Sequence, residues 1–104
     1  MTNPRTTLAQ GILVEEEVQF TLIELCRVCQ VDREQLIALV DEGVLAPSGD
    51  DPQSWRFGDA SFGRARAALR LIRDLELNIA GVALVLELLD EIEALRLQMS
   101  LTRG

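Results

Sequence analysis

Hydrophobic and polar positions follow a helix period over the C-terminal third of the chain. Two periodic runs between Arg66 and Leu97 meet at Asn78, whose short side-chain acceptor is typical of a helix N-cap. Leu77 and Val82 lie on either side of Asn78, at the positions of a hydrophobic staple. We therefore predict that one helix ends near Leu77 and that a second begins after Asn78.

The second of these helices, which we expect to fray near Ser100, carries two adjoining apolar seams. One face of a small bundle usually needs a single apolar seam, so one is predicted to pack on the core and the other to contact a partner. The core-facing seam consists of Val82, Val85, Leu86, Leu89, Ile92 and Met99. The second seam consists of Leu84, Leu88 and Leu95.

Earlier in the chain, two short amphipathic segments have clear helix start signals. Thr21 and Glu24 form a T-x-x-E capping box, and Asp32 stands as N-cap of the next segment. That segment stops at Gly43, a residue that readily terminates a helix. Two short helices joined by a tight turn predict a helix-turn-helix.

A small β-wing and a third helix are predicted to follow. Trp55 and Phe57 alternate within a short run that could pair, as a strand, with the Val18–Phe20 segment. After this wing, Asp59 is predicted to cap a helix. The inner face of that helix is predicted to contain Phe62, Ala65, Leu69 and Ile72.

The elements define a mainly α fold with about four helices and a small two-stranded wing. At 104 residues the chain is long enough for one core, and we expect a single domain over residues 12–104 after a flexible leader, 1–11. The N-terminal residues lack the apolar segment of a secretory signal, and acidic residues interrupt the most apolar run. We expect a cytoplasmic protein.

Charge is unevenly distributed along the chain. The net charge is −7, and residues 1–52 carry all of it, because their acidic residues far outnumber their arginines; residues 53–104 are balanced. An acidic N-terminal half repels phosphate backbones and attracts basic protein surfaces. Arginine supplies every basic side chain, since the chain has no lysine and no histidine.

Candidate chemistry is sparse. Cys26 and Cys29 form a C-x-x-C motif. A closed zinc site needs four ligands, and a reactive thiol is usually found at a helix N-terminus. We therefore interpret the two cysteines as buried structural thiols, with a metal shared between subunits as the alternative. Asp90 and Glu91 are a possible carboxylate pair for catalysis. Consecutive helix positions point about 100° apart and do not converge on one substrate. We predict no enzyme activity, no cofactor and no metal site.

These parts, in this order, resemble the MerR-type winged helix and, more closely, the CbpM family of chaperone modulators. The resemblance rests on FTLIELCRVCQVDREQLIALVDEGVLAP, SWRF and LRLIRDLELNIAGVALVLELLDEIEAL, of which the R-D-L-x-L-N-x-x-G-V-A run is the most specific. It implies a small bacterial cytoplasmic adaptor, associated with the nucleoid only through its partner. Such an adaptor binds the J domain of a CbpA-type DnaJ homologue and inhibits its co-chaperone and DNA-binding activities. The likeness also implies a homodimer formed through the second seam of the last helix.

Where a MerR-type regulator carries basic and aromatic residues for DNA, this chain is acidic. Its second helix is flanked by carboxylates that oppose phosphates, so we expect direct DNA binding to be weak, although a DNA-binding regulator remains the alternative function. The carboxylates predicted to contact a J domain are Asp32, Glu34, Asp41 and Glu42. An arginine stripe, either paired internally or in contact with a partner, consists of Arg66, Arg70 and Arg73.

Overall fold

A computed structural model describes the backbone of residues 6–9, 12–15 and 18–103, and the side chains of residues 18–102. The first element is an antiparallel hairpin in which Thr6 pairs with Glu15 and Ala9 with Ile12. Of the predicted leader, 1–11, only the strand residues 6–9 are described. The elements in order are β1 (Thr6–Ala9), β2 (Ile12–Glu15), α1 (Leu22–Cys29), α2 (Arg33–Asp41), α3 (Asp59–Leu75) and α4 (Ile79–Arg103).

The predicted N-caps of α1 and α2 are confirmed. The Thr21 hydroxyl accepts from the Glu24 N–H at 3.2 Å, and the Glu24 carboxylate accepts from the Thr21 N–H at 2.8 Å. Hydrogen bonding to Thr21 holds the pKa of the Glu24 carboxyl below its ordinary value, and the bond from the Thr21 backbone N–H contributes most. The Asp32 carboxylate accepts from the Gln35 N–H at 2.8 Å. Each cap satisfies an amide that the helix leaves unpaired.

The third and fourth helices begin differently from each other. Asn78 caps α4 as predicted, since its side-chain oxygen accepts from the Gly81 N–H at 2.7 Å. The prediction that Asp59 caps α3 is wrong: Gly58 is the N-cap, without a side-chain hydrogen bond, and Asp59 is the first helical residue. A carboxylate in the first turn still complements the positive end of the helix dipole. The end of α4 also lies later than predicted, at Arg103.

The core lies where α1, α2 and the first part of α4 meet α3. Trp55 and Phe57 pack edge to face, with ring centroids 6.0 Å apart, and close the core from the segment before α3. Sequence reasoning expected Trp55 or Phe57 to be buried against the helices, whereas both are buried, and it missed Ala68, which is fully buried on α3. The buried residues are Leu22, Leu25, Leu36, Leu39, Val44, Leu45, Trp55, Phe57, Ala65, Ala68, Val82 and Leu86.

The structure does not show the two-stranded wing predicted from segments 18–20 and 54–57. Phe20 and Phe57 form a single antiparallel bridge, with N···O distances of 2.7 and 2.8 Å. Ser48 and Arg56 form a second isolated bridge. Neither bridge extends into a ladder. They nevertheless hold Phe57 fully buried.

The predicted core-facing seam of α4 is only half right. Val82 and Leu86 are buried, whereas Leu89, Ile92 and Met99 are exposed to 50%, 45% and 61%. The reason is length: α4 packs mainly on α3 through its first turns and then continues beyond the packed part of the molecule. No helix in the described part of the chain is long and apolar enough to cross a membrane.

Candidate partner-binding surfaces

The four carboxylates predicted as a contact set are all exposed, but they lie at the two ends of α2. Asp32 and Glu34 stand at its start, and Asp41 and Glu42 at its end. Glu34 and Asp41 lie almost two full turns apart and therefore on the same helix face, about 10 Å along the axis. We call these four residues the acidic surface.

Helix capping explains only the first half of the acidic surface. Asp32 caps α2 and Glu34 complements the positive end of the helix dipole. Asp41 and Glu42 stand at the negative end, where a carboxylate is unfavourable, and the last turn of α2 contains no basic residue. The fold therefore gains nothing from these two charges. This makes them the strongest candidates for contact with another molecule.

The three predicted stripe arginines border one groove between the end of α1 and the outer face of α3. Its volume is about 370 Å³. The remaining lining residues are mostly apolar and include a half-buried thiol. They are Val28, Cys29, Gln30, Phe62 and Leu69. We call this the arginine groove.

Internal pairing accounts for only one of the stripe arginines. The Arg73 guanidinium binds the neighbouring Asp74 carboxylate at 3.0 Å, as predicted. The Arg66 guanidinium lies over the Phe62 ring, 5.7 Å from its centroid. Within the described residues neither Arg66 nor Arg70 has a carboxylate partner. Two positive charges thus remain available at the edge of the groove.

The surroundings of Cys26 and Cys29 are those of residues that contribute to packing. Both are half-buried, and burial raises the pKa of the Cys26 and Cys29 thiols; at Cys29 the positive charge of Arg66 acts in the opposite direction. A thiol that stays protonated is a poor nucleophile and a poor metal ligand. Among the described residues no group of three or more histidine, cysteine, aspartate or glutamate side chains is placed to hold a metal ion.

One connecting residue was missed by sequence reasoning. Arg64 donates from Nε to the Val44 carbonyl at 2.7 Å, and its Nη1 contacts both Asp90 carboxylate oxygens, at 3.2 and 3.0 Å. It therefore joins the segment after α2, α3 and α4. The only available signal was an arginine on the otherwise small-residue face of α3, which does not specify a partner far along the chain.

A third surface is the exposed apolar stripe of α4. The predicted partner seam of Leu84, Leu88 and Leu95 is exposed to between 52% and 56%. The exposed part of the misassigned core seam extends this stripe. Leu88, Ile92, Leu95 and Met99, with the half-buried Val85 before them, have heptad spacing on one helix face, the pattern of a coiled-coil contact.

Comparison with known proteins places this geometry in a family. A family model described as "MerR HTH family regulatory protein" matches residues 20–103, which defines the class of protein as a MerR-type helix-turn-helix. A protein of Coxiella burnetii (strain Dugway 5J108-111) named "Chaperone modulatory protein CbpM" is 36% identical over 88 residues, 85% of this chain and 83% of its own. The protein of that name from Pseudomonas putida (strain GB-1) is 40% identical over 86 residues, 83% of this chain and 85% of its own. The chain belongs to the CbpM family, as its resemblance to these modulators predicted.

Proposed function

We propose that this protein is a chaperone modulator that binds the J domain of a CbpA-type DnaJ homologue and inhibits its co-chaperone and DNA-binding activities. The name of its relatives, chaperone modulatory protein, supports the chaperone-modulating role. The observation that carries the choice of surface is the pair Asp41 and Glu42 at the negative end of α2, which the fold does not need. No turnover or cofactor is required, and the protein would act in the bacterial cytoplasm, associating with the nucleoid only through its partner.

The acidic surface would meet a basic helix of the partner. Glu34 and Asp41 lie on one face about 10 Å apart, which matches basic residues two turns apart on an opposing helix. Complementary charge would raise the association rate and favour a basic partner more than it raises affinity. Inhibition would be steric, because the J-domain surface covered by the modulator is then closed to an Hsp70.

The acidic surface on α2 argues against the alternative function, a MerR-type DNA-binding regulator. The family description as a regulatory protein favours that alternative. However, α2 takes the position of the recognition helix, and the side chains that should approach phosphates are carboxylates at both of its ends.

We also propose that the protein is a homodimer formed through the apolar stripe of α4. Each of the large apolar residues at stripe positions 88, 92, 95 and 99 is at least 45% exposed. A second copy offers the same heptad spacing, and the stripe is too regular for a solvent-facing helix surface. Of the seam predicted for dimerisation, Leu88 and Leu95 lie within this stripe and Leu84 lies at its border.

Calorimetric titration of the full-length protein into an isolated CbpA-type J domain, at low and high salt, tests the main proposal. We expect a defined stoichiometry, micromolar or tighter affinity, and weaker binding at high salt. The double variant Asp41→Asn, Glu42→Gln should bind more slowly and more weakly. The matched control Glu87→Gln, Glu93→Gln removes the same charge from exposed positions of α4 and should bind like the unchanged protein.

Three outcomes separate the parts of the proposal. If the affinity for the J domain is the same at both salt concentrations and in the α2 double variant, the J domain remains the partner and the acidic surface is rejected as the contact. Absence of binding would reject the J domain. Tight, salt-sensitive binding to duplex DNA would establish the regulator instead.

A further inference from the structure

The arginine groove has a different chemistry from the acidic surface, and its lining residue Gln30 lies two positions before Asp32 at the start of that surface. Its edge is formed by α3 residues one helical turn apart, while the acidic surface follows α2. The protein has a net charge of −7, but the three arginines at this groove make the local charge positive. Neither the proposed J-domain contact nor the dimer makes use of it.

The floor of the groove is held in place by aromatic contacts. The Phe62 ring packs against Phe20, with centroids 5.8 Å apart, on one side and lies under the Arg66 guanidinium on the other. Leu69 stands two turns further along α3, and Val28 closes the groove from α1 with 52% of its surface exposed. These three residues give the groove an apolar lining.

The charges at the edge have a spacing that suits an extended peptide. Arg66 and Arg70 are separated by about 6 Å along the axis of α3. Alternate residues of an extended segment lie about 6.7 Å apart and point to the same side, while the residue between them points to the opposite side. Two carboxylates at alternate positions would therefore reach both arginines, and apolar residues between them would face Val28 on α1, across the groove.

We propose that the arginine groove is a second docking site, which binds an extended acidic protein segment with apolar residues at alternate positions. Charge complementarity selects the acidic character, and the Val28, Phe62 and Leu69 floor selects the apolar residues. A nucleic acid fits less well, because a phosphate backbone has no apolar group to match the Val28, Phe62 and Leu69 lining.

Fluorescence anisotropy with a labelled synthetic peptide of alternating glutamate and leucine tests the proposal. We expect saturable binding to the full-length protein that weakens with salt. Arg66→Gln combined with Arg70→Gln should weaken it about fivefold to tenfold, since exposed ion pairs each contribute modestly. The control Arg33→Gln with Arg96→Gln removes the same charge outside the groove and should leave the affinity unchanged. A peptide with glutamine in place of glutamate should bind at least as weakly as the groove variant.

Cysteine reactivity provides a second readout at the floor. Cys29 lines the groove and Cys26 does not. The saturating peptide should slow alkylation of Cys29 and leave that of Cys26 unchanged. Arg27 separates the two cysteines, so tryptic digestion places them in different fragments for mass spectrometry.

Several results would overturn the proposal. These are equal binding to both double variants, equal binding of the glutamine peptide, or an unprotected Cys29 at saturation. Stronger displacement of the peptide by a single-stranded oligonucleotide of equal charge would assign the groove to nucleic acid. None of these results bears on J-domain binding, which is tested at α2.

Discussion

At the scale of single residues, the two ends of α2 are occupied by the same charge with opposite consequences. Asp32 caps the helix and Glu34 complements its dipole, whereas Asp41 and Glu42 oppose it. A charge that the fold disfavours and that lies on the surface is better explained by an interaction with another molecule. Substitutions at the two ends of α2 can therefore separate an effect on stability from an effect on partner binding.

Asp41→Asn with Glu42→Gln should therefore raise the free energy of unfolding while it weakens partner binding. Removal of an unfavourable charge from a helix end is worth about 0.3–1 kcal/mol per residue at low salt. Urea denaturation measures the change. Asp32→Ala is the contrasting variant, since it removes a cap and should cost about 0.5–2 kcal/mol. A loss of stability in the double variant would mean that these carboxylates have a structural role.

The capping box of α1 predicts a specific pH dependence. The pKa of Glu24 is lowered in the folded protein by hydrogen bonds from Thr21, so its ionised form stabilises the fold. That contribution is fully present above the unfolded pKa of about 4.3 and is lost as the pH falls through the lower folded value. Glu24→Gln should be less stable than the unchanged protein at neutral pH, and the difference should shrink as the pH falls below about 4. Urea midpoints across this range measure it; a difference independent of pH would contradict the charge-based account.

At the scale of elements, three of the four predicted N-caps are correct, all but Asp59, whereas the extent of the core could not be predicted from the sequence. The hydrogen bonds of Thr21, Asp32 and Asn78 join residues three positions apart, so local sequence contains all of their chemistry. Periodicity shows that Val82 and Ile92 occupy the same broad face of α4. It does not show that the covering helices end before Ile92. The contact of Arg64 with Asp90 is likewise a product of tertiary packing.

Substitutions along α4 should reveal where its core-facing part ends. Leu86 is 5% exposed, and Leu86→Ala should reduce the free energy of unfolding by about 2–5 kcal/mol. Leu101→Ala, at a residue 75% exposed, should change it by less than about 0.5 kcal/mol. Chemical denaturation of both variants at one protein concentration makes the comparison. Equal losses would mean that α4 is covered along its whole length.

Arg64 should matter more to the position of α4 than its ion pair alone suggests. The Asp90 side chain is 64% exposed, so the ion pair itself is worth about 0–1 kcal/mol. Arg64 also satisfies the Val44 carbonyl, which Asp90 does not. Arg64→Ala should therefore destabilise the protein more than Asp90→Ala. A double-mutant cycle measures the coupling of the pair; equal single losses would assign the whole effect to the ion pair.

At the scale of the whole molecule, the single chain is less compact than its length predicts. Its radius of gyration is 16.4 Å, against about 13 Å for a compact domain of this size. The 25-residue α4 is about 37 Å long, and its second half is exposed on all sides. An extended helix with an apolar heptad stripe gives a reason for this shape, because a second copy would bury what the first leaves uncovered.

Dimerisation through this stripe should be abolished by charge on one face of α4 and not on the other. Ile92→Glu with Leu95→Glu places two carboxylates on the stripe. Loss of two buried apolar side chains is worth about 3 kcal/mol or more, which is over a hundredfold in Kd. Leu97→Glu with Leu101→Glu introduces the same charge at residues that are exposed to 63% and 75% but lie off the stripe. Sedimentation velocity should show dimers for the unchanged protein and this control, and monomers for the stripe variant. If the unchanged protein sediments as a monomer at every concentration, the homodimer is rejected. The apolar stripe would then be assigned to a different partner.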